Sequence, residues 1–338
     1  MTRLPAQPRL WRRLRPLLAP LLARLLSPIL PPLVALLLAG NSHAQGFDYQ
    51  LVPERLAAGV HVFIGQREDF NTRNGGNIVN TACLIGRDGL IVIDSGPSRR
   101  YGEQLRAACA RLSPLPVRLV LNSHFHPDHF LGNQAFADSP IAALAATRDG
   151  IARQGNAFAE NLYRLSGDWM SGTEVHAPDR SLSAGELEVA GRRLQLYALH
   201  GHTDADLAIY DRDSGVLFAG DLVFHERAPT TPHAAPAAWL AALAQLEALT
   251  RQPGFTALVP GHGPVARDAG PIRQTRAWLN WLQTRLAEAA RAGLDMNEVL
   301  ALPLPAEFAR LPLAREEYRR SVSHLFPAAE RALLEGGR

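Results

Sequence analysis

The chain has 338 residues, 47% hydrophobic and 20% charged, with a formal charge of +3. That length accommodates one large domain or two medium ones. Residues 1–44 hold six arginines and no acid, so the rest of the chain sums to −3, and a mildly acidic body gives no reason to expect a nucleic-acid partner.

Those first 44 residues read as a secretory signal peptide. The arginines lead into the apolar run 29–40, and Ser42 and Ala44 frame a cleavage point before Gln45. The run is shorter than the roughly 20 residues of a membrane span and is broken by prolines. A cleaved signal, no stable membrane span in the mature chain and a periplasmic or secreted location follow; an uncleaved anchor is the alternative. In an oxidising compartment Cys83 and Cys109 either pair or remain buried thiols.

After Gln45 the pattern is rich in strands. Val60–Ile64 is a predicted strand, and 67–77 is a polar, glycine-bearing loop. Ile78–Ile85 and Leu90–Ile93 are apolar strands turning at 86–89. Arg99–Leu112 has helical periodicity, Val117–Leu121 is a buried strand, 141–144 is a short strand and 146–165 is mostly helical. Paired strands follow at 187–189 with 194–199, and at 207–210 with 216–219. A helix at 237–249, a strand at 257–259 and a long amphipathic helix at 272–291 come next. The tail from Asn297 to Leu334 reads as short helices broken by prolines. Two halves of similar strand and helix content predict an α+β sandwich, sheets inside and helices outside, in one domain spanning 45–338 with a helical extension from about 268.

The strand 117–121 runs into Asn-Ser-His124-Phe-His126-Pro-Asp128-His129. Three histidines and an aspartate within six residues, at the C-terminal end of a strand, are a metal-ligand cluster. His202, Asp221 and His262 each follow another apolar run, so each can project from the same rim of the sandwich. Neutral imidazoles suit zinc, and carboxylates tolerate bridging.

With these residues in that order, and with Val92-Ile-Asp94-Ser-Gly96 before them, the sequence resembles the metallo-β-lactamase superfamily over about residues 78–263. The resemblance implies a four-layer αββα sandwich and two Zn2+ ions, with iron or manganese as alternatives. His124, His126 and His202 would hold one ion and Asp128, His129 and His262 the other, with Asp221 bridging. A hydroxide shared by the two ions would be the nucleophile, and Asp128 would orient it and pass a proton to the leaving group. Asp94 is expected to orient a ligand imidazole. His200, two residues before His202, reads as a hydrogen-bonded strand-end histidine, with a pocket residue as the alternative.

The aspartate at 221 resembles that of the thioesterase and general hydrolase branches more than the true β-lactamases. The stretches 167–174 and 224–233, with the loop 68–77, resemble the SoxH-related zinc metallohydrolases of quinoprotein relay systems. The expectation is an exported hydrolase of a small-molecule ester, thioester or amide, linked to a quinoprotein (PQQ) dehydrogenase. The alternatives are a β-lactamase-type antibiotic hydrolase and a mononuclear iron, sulfur-oxidising enzyme. Residues 224–233 follow directly on Asp221, so His225, Glu226, Arg227 and His233 are candidate substrate contacts, and 68–77 is a candidate flap.

Overall fold

In the computed structural model, which describes residues 47–336, two sheets lie face to face between helices. The first sheet holds seven strands in sequence order: β1 (Glu54–Ala57), β2 (Val60–Phe63), β3 (Thr81–Ile85), β4 (Leu90–Ile93), β5 (Val117–Leu121), β6 (Ile141–Leu144) and β7 (Arg180–Leu182). Strands β1–β4 pair antiparallel and β4–β7 parallel. The second sheet has five strands in the order β12 (Ala257–His262), β11 (Val216–Phe224), β10 (Asp206–Asp211), β9 (Arg192–Leu199) and β8 (Gly185–Val189), antiparallel except for β11 with β12.

Side-chain alternation assembles the layers. Val62, Leu84, Ile91, Ile93 and Leu121 of the first sheet meet Leu196, Ile209, Phe218 and Val259 of the second in one buried core. The residues between them point outward. Cys83, Val92 and Val120 pack beneath α1 (Arg99–Leu112), and Tyr210, Leu217 and Leu258 pack beneath α4 (Pro236–Leu249) and α5 (Gly270–Arg291). This is the four-layer αββα sandwich that the sequence resemblance implied. A short α2 (Pro127–Phe130) and a long α3 (Ala145–Ser166) flank the rim at the end of β5. Cys83 and Cys109 are both buried free thiols between β3 and α1.

Four differences from the sequence reading have physical causes. Residues 78–80 are not strand: Gly65 N–H donates to Asn80 Oδ1, and Asn80 Nδ2 donates to the carbonyls of Pro260 and Gly263, so the segment is bound across the sheets instead. The edge strands β1 and β7 escaped notice because they are short and partly exposed, with no apolar run to mark them. β11 does not stop at residue 219; it continues through a register irregularity around Gly220, at φ 52°, so Asp221 sits on a bulge rather than beyond a strand end. The tail is less broken than expected. After α6 (Met296–Ala301) and α7 (Ala306–Ala309), α8 (Ala314–Gly336) runs straight through Pro327. Tyr318, Val322 and Phe326 bury one face of α8 in the core beside α5, and that burial offsets the roughly 3 kcal/mol an internal proline costs.

The predicted signal peptide, residues 1–44, lies outside the described residues. Among the described residues no helix is long and apolar enough to cross a membrane.

Candidate metal centre

The turn after β5 is built around Asp94. That residue adopts φ 55°, a left-handed conformation that aspartate tolerates, and is almost fully buried. Its Oδ1 accepts from Ser123 N–H at 2.7 Å; its Oδ2 accepts from Ser123 Oγ at 2.8 Å and lies 2.8 Å from His129 Nδ1. Pro127 at the first position of α2 starts the short helix that presents Asp128 and His129. His202 follows β9 on a turn capped by Asp206, which accepts from the backbone N–H groups of His202 and Thr203. Asp221 stands on the β11 bulge, and His262 closes β12.

These seven side chains, from 124 to 262, converge. His124, His126, His202 and Asp221 form one buried group whose donor atoms lie within 4.8 Å of each other; Asp128, His129 and His262 form a second. His202 Nε2 lies 3.3 Å, and His262 Nε2 3.1 Å, from Asp221 Oδ2. His129 Nε2 is 3.2 Å from Asp221 Oδ1 and 3.6 Å from Asp128 Oδ2, which is 3.4 Å from His262 Nε2. Donors held at zinc–nitrogen or zinc–oxygen distance around a tetrahedral ion would stand about 3.3 Å apart, so the spacing fits.

Two of the outer ring nitrogens are engaged outside the group. His262 Nδ1 donates to the carbonyl of Ile78 at 2.7 Å, and His129 Nδ1 faces Asp94. Each such bond leaves the other ring nitrogen facing inward. The inward atoms His124 Nε2, His129 Nε2, Asp128 Oδ2 and Asp221 Oδ1 are buried without a hydrogen-bond partner. Buried polar atoms are rarely left so; a cation satisfies them together. Burial, then neighbouring imidazoles, hold His124 and His126 well below the usual histidine range and His202 at about 3, so all three are neutral at pH 7, as coordination requires. Burial opposes charge on His129 and Asp221 as well. There the facing opposite charges win, so His129 is raised well above its usual value and Asp221 is held well below.

The model of the metallo-beta-lactamase superfamily matches residues 74–280, more than half of the chain. The chain belongs to the metallo-β-lactamase superfamily. Members are hydrolases that bind divalent metals, typically zinc. Among curated proteins this superfamily chain is 23% identical over 283 residues to a linear primary-alkylsulfatase of a Pseudomonas species, covering 70% of the chain and 52% of that protein. It is 27% identical over 173 residues to an acyl-coenzyme A thioesterase of Gallus gallus, covering 44% and 59%. It thus spans little more than half the length of these relatives. A metallo-beta-lactamase from Pontibacter korlensis shares its fold at a TM-score of 0.56 and 21% identity, covering 68% of this chain and 99% of that one.

A cavity of about 270 Å3 opens over the centre, with His126, Asp128, Asp221 and His262 in its floor. Of the further candidates, Asp94 braces His129 from behind, and Arg227 and His233 line the cavity. Three others stand elsewhere. β9 ends at Leu199, so His200 turns away and is exposed. His225 is turned to the Pro264 carbonyl at 2.7 Å. Glu226, at φ 50°, pairs with Arg67 beside a separate open depression. The loop 68–77 is a braced wall rather than a free flap: Trp169 Nε1 donates to Thr72 O at 2.9 Å, and Asp69 pairs with Arg320.

The sequence reading missed the rest of the enclosure. Phe158, Leu162 and Leu165 of α3, with Phe70, give one apolar wall. Phe158 and Leu162 are one helical turn apart, which was the available signal. On the other side α8 brings Arg320 to the wall and, behind it, Glu317, which is fully buried. Glu317 Oε1 accepts from Thr230 at 2.8 Å and Arg320 at 2.9 Å and lies 3.5 Å from Arg227. Nothing in the tail's sequence announced that contact.

Proposed function

We propose that the protein is an exported binuclear zinc hydrolase that cleaves an ester or thioester carrying an apolar acyl or alkyl group. The observation that carries the reading is the pair of buried donor groups meeting at Asp221 beneath a cavity with one apolar wall. Zinc bound there supplies Lewis acidity, activating water near neutral pH and polarising the scissile group. Asp128, in the floor of the cavity, takes the proton of the attacking water and returns it to the leaving group. Phe158, Leu162 and Leu165 receive the apolar chain. An alkylsulfatase and an acyl-coenzyme A thioesterase among the relatives support a substrate with such a chain. The second group, Asp128, His129 and His262, favours hydrolysis over a mononuclear iron reaction, which needs only one set of donors.

The arginine-rich N-terminal segment supports export to the periplasm. The likeness of 167–174 and 224–233 to SoxH-related enzymes supports a link to a quinoprotein dehydrogenase. The test is zinc-loaded protein assayed in parallel on p-nitrophenyl acyl esters, acyl thioesters and β-lactams. Turnover of acyl esters or thioesters, lost on chelation and restored by zinc, is expected. Activity on β-lactams alone, or activity indifferent to chelation, refutes the reading. Cell fractionation tests export.

A further inference from the structure

His126 differs from the other candidate ligands in what stands behind it. His129 is backed by a carboxylate and His262 by a backbone carbonyl. His126 is backed by another imidazole: its Nε2 lies 2.8 Å from His233 Nδ1, while its Nδ1 lies 2.8 Å from His202 Nε2 inside the donor group. His233 is exposed but flanked by two aromatic rings, and its loop is tied down. The ring of Phe125 packs edge-on against it at 5.2 Å and that of Phe158 at 6.4 Å. Its loop is closed by Ala234 N–H donating to Thr231 O at 3.0 Å and tied to α8 by Thr231 Oγ1 and Ser321 Oγ at 2.7 Å.

The proton count then follows from imidazole chemistry. A ligand histidine that gives Nδ1 to an ion carries its proton on Nε2. His126 Nε2–H therefore donates to His233 Nδ1, so a neutral His233 must hold its proton on Nε2. That atom has no protein hydrogen-bond partner among the described residues, and His233 lines the cavity beside Asp128 and Phe158. The geometry points to a double role for His233. It is the positioning residue that fixes the tautomer of His126 toward the ion, and by the same bond it is held as an Nε2–H donor facing the substrate. This rests on the metallohydrolase reading above. It adds a substrate contact: an oxygen of the ester or thioester substrate, next to the apolar chain in the Phe158 wall, accepts that hydrogen bond.

Two substitutions separate the roles. In His233→Asn the amide oxygen stands near the place of Nδ1 and still accepts from His126, but the donor at Nε2 is gone. In His233→Leu both are gone, while the space between Phe125 and Phe158 stays filled. The readouts are zinc affinity by chelator competition, the visible spectrum of the cobalt(II)-substituted protein, and kcat/KM on a p-nitrophenyl acyl ester. His233→Leu is expected to weaken one zinc equivalent about 10- to 100-fold and shift the cobalt spectrum. His233→Asn is expected to restore both to near wild type. In both variants kcat/KM falls about tenfold, as the loss of one hydrogen bond to substrate predicts. Wild-type zinc affinity and cobalt spectrum in His233→Leu overturn the positioning role, and wild-type kcat/KM in His233→Asn overturns the donor role. A wild-type protein that turns over no acyl ester or thioester refutes the reaction assigned above; the zinc and cobalt measurements still decide the positioning role.

Discussion

The substitution Asp94→Asn isolates what a single oxygen does behind the metal centre. Asparagine adopts the left-handed backbone at φ 55° as readily as aspartate, so the fold of the turn is preserved. The hydrogen bonding is not. If the amide oxygen keeps the Ser123 N–H, 2.7 Å away, the amide nitrogen stands 2.8 Å from His129 Nδ1, donor against donor. Turning the amide over moves the same conflict to Ser123 N–H. The relief available is a change of tautomer, with the proton of His129 moved to Nε2, the atom that faces Asp128 and Asp221. A ring in that form has no lone pair to offer at Nε2. A hydrogen bond to a charged group is worth about 1.5–3 kcal/mol, or roughly ten- to a hundredfold in an equilibrium constant, which matches the loss typical of such outer partners. Zinc titration against a chromophoric chelator should show one equivalent weakened by that factor and the other, at His124, His126 and His202, nearly unchanged. Two equivalents bound with wild-type affinity would refute the tautomer argument.

Other substitutions probe different parts. A Cβ on Gly261 would lie 1.9 Å from Asp221 Oδ1 and 2.8 Å from its backbone nitrogen. Gly261→Ala should therefore displace the shared carboxylate, cost about 1–3 kcal/mol of stability and lower the zinc retained after gel filtration; full retention would show that Asp221 is not a ligand. Asp128→Asn should keep its metal by elemental analysis and lose at least about a hundredfold in kcat. Glu317 is raised above the usual glutamate range by burial, against the pull of Arg227 and Arg320. A raised folded-state value means stability that is present below the unfolded value and lost as pH rises through the folded one. Melting curves should show Glu317→Gln gaining on wild type as pH rises above the usual glutamate range; a constant gap in Tm would contradict the upward shift.

The layers of the sandwich were legible because apolar residues alternate along β2 to β5 and β9 to β12, one set facing the other sheet and one facing helices. The donor residues were legible because chemistry concentrates them: 124–129 packs four into one turn, and the rest follow apolar runs. What escaped was of two kinds. His200, His225 and Glu226 were drawn in by nearness along the chain, but a strand end, a carbonyl at Pro264 and an arginine at 67 turned them elsewhere. Glu317 and Arg320 were passed over because they lie about a hundred residues beyond Asp221, on a helix whose pattern reports only its packing against α5. Periodicity records which face a helix buries, not which cavity its polar edge reaches.

That polar edge has a consequence for how the molecule can change. The side chains that would perform the chemistry all lie between 124 and 262, as do the α3 wall and His233, whereas one side of the cavity is completed by Asp69 and Phe70 and by Arg320 of α8. Part of the enclosure is thus written outside the reactive stretch, in two distant segments joined to each other by the ion pair between Asp69 and Arg320. The same reactive core can be given a new clientele by exchanging its outer segments, and an engineer wishing to widen the mouth would begin at that pair, which leaves every donor side chain in place.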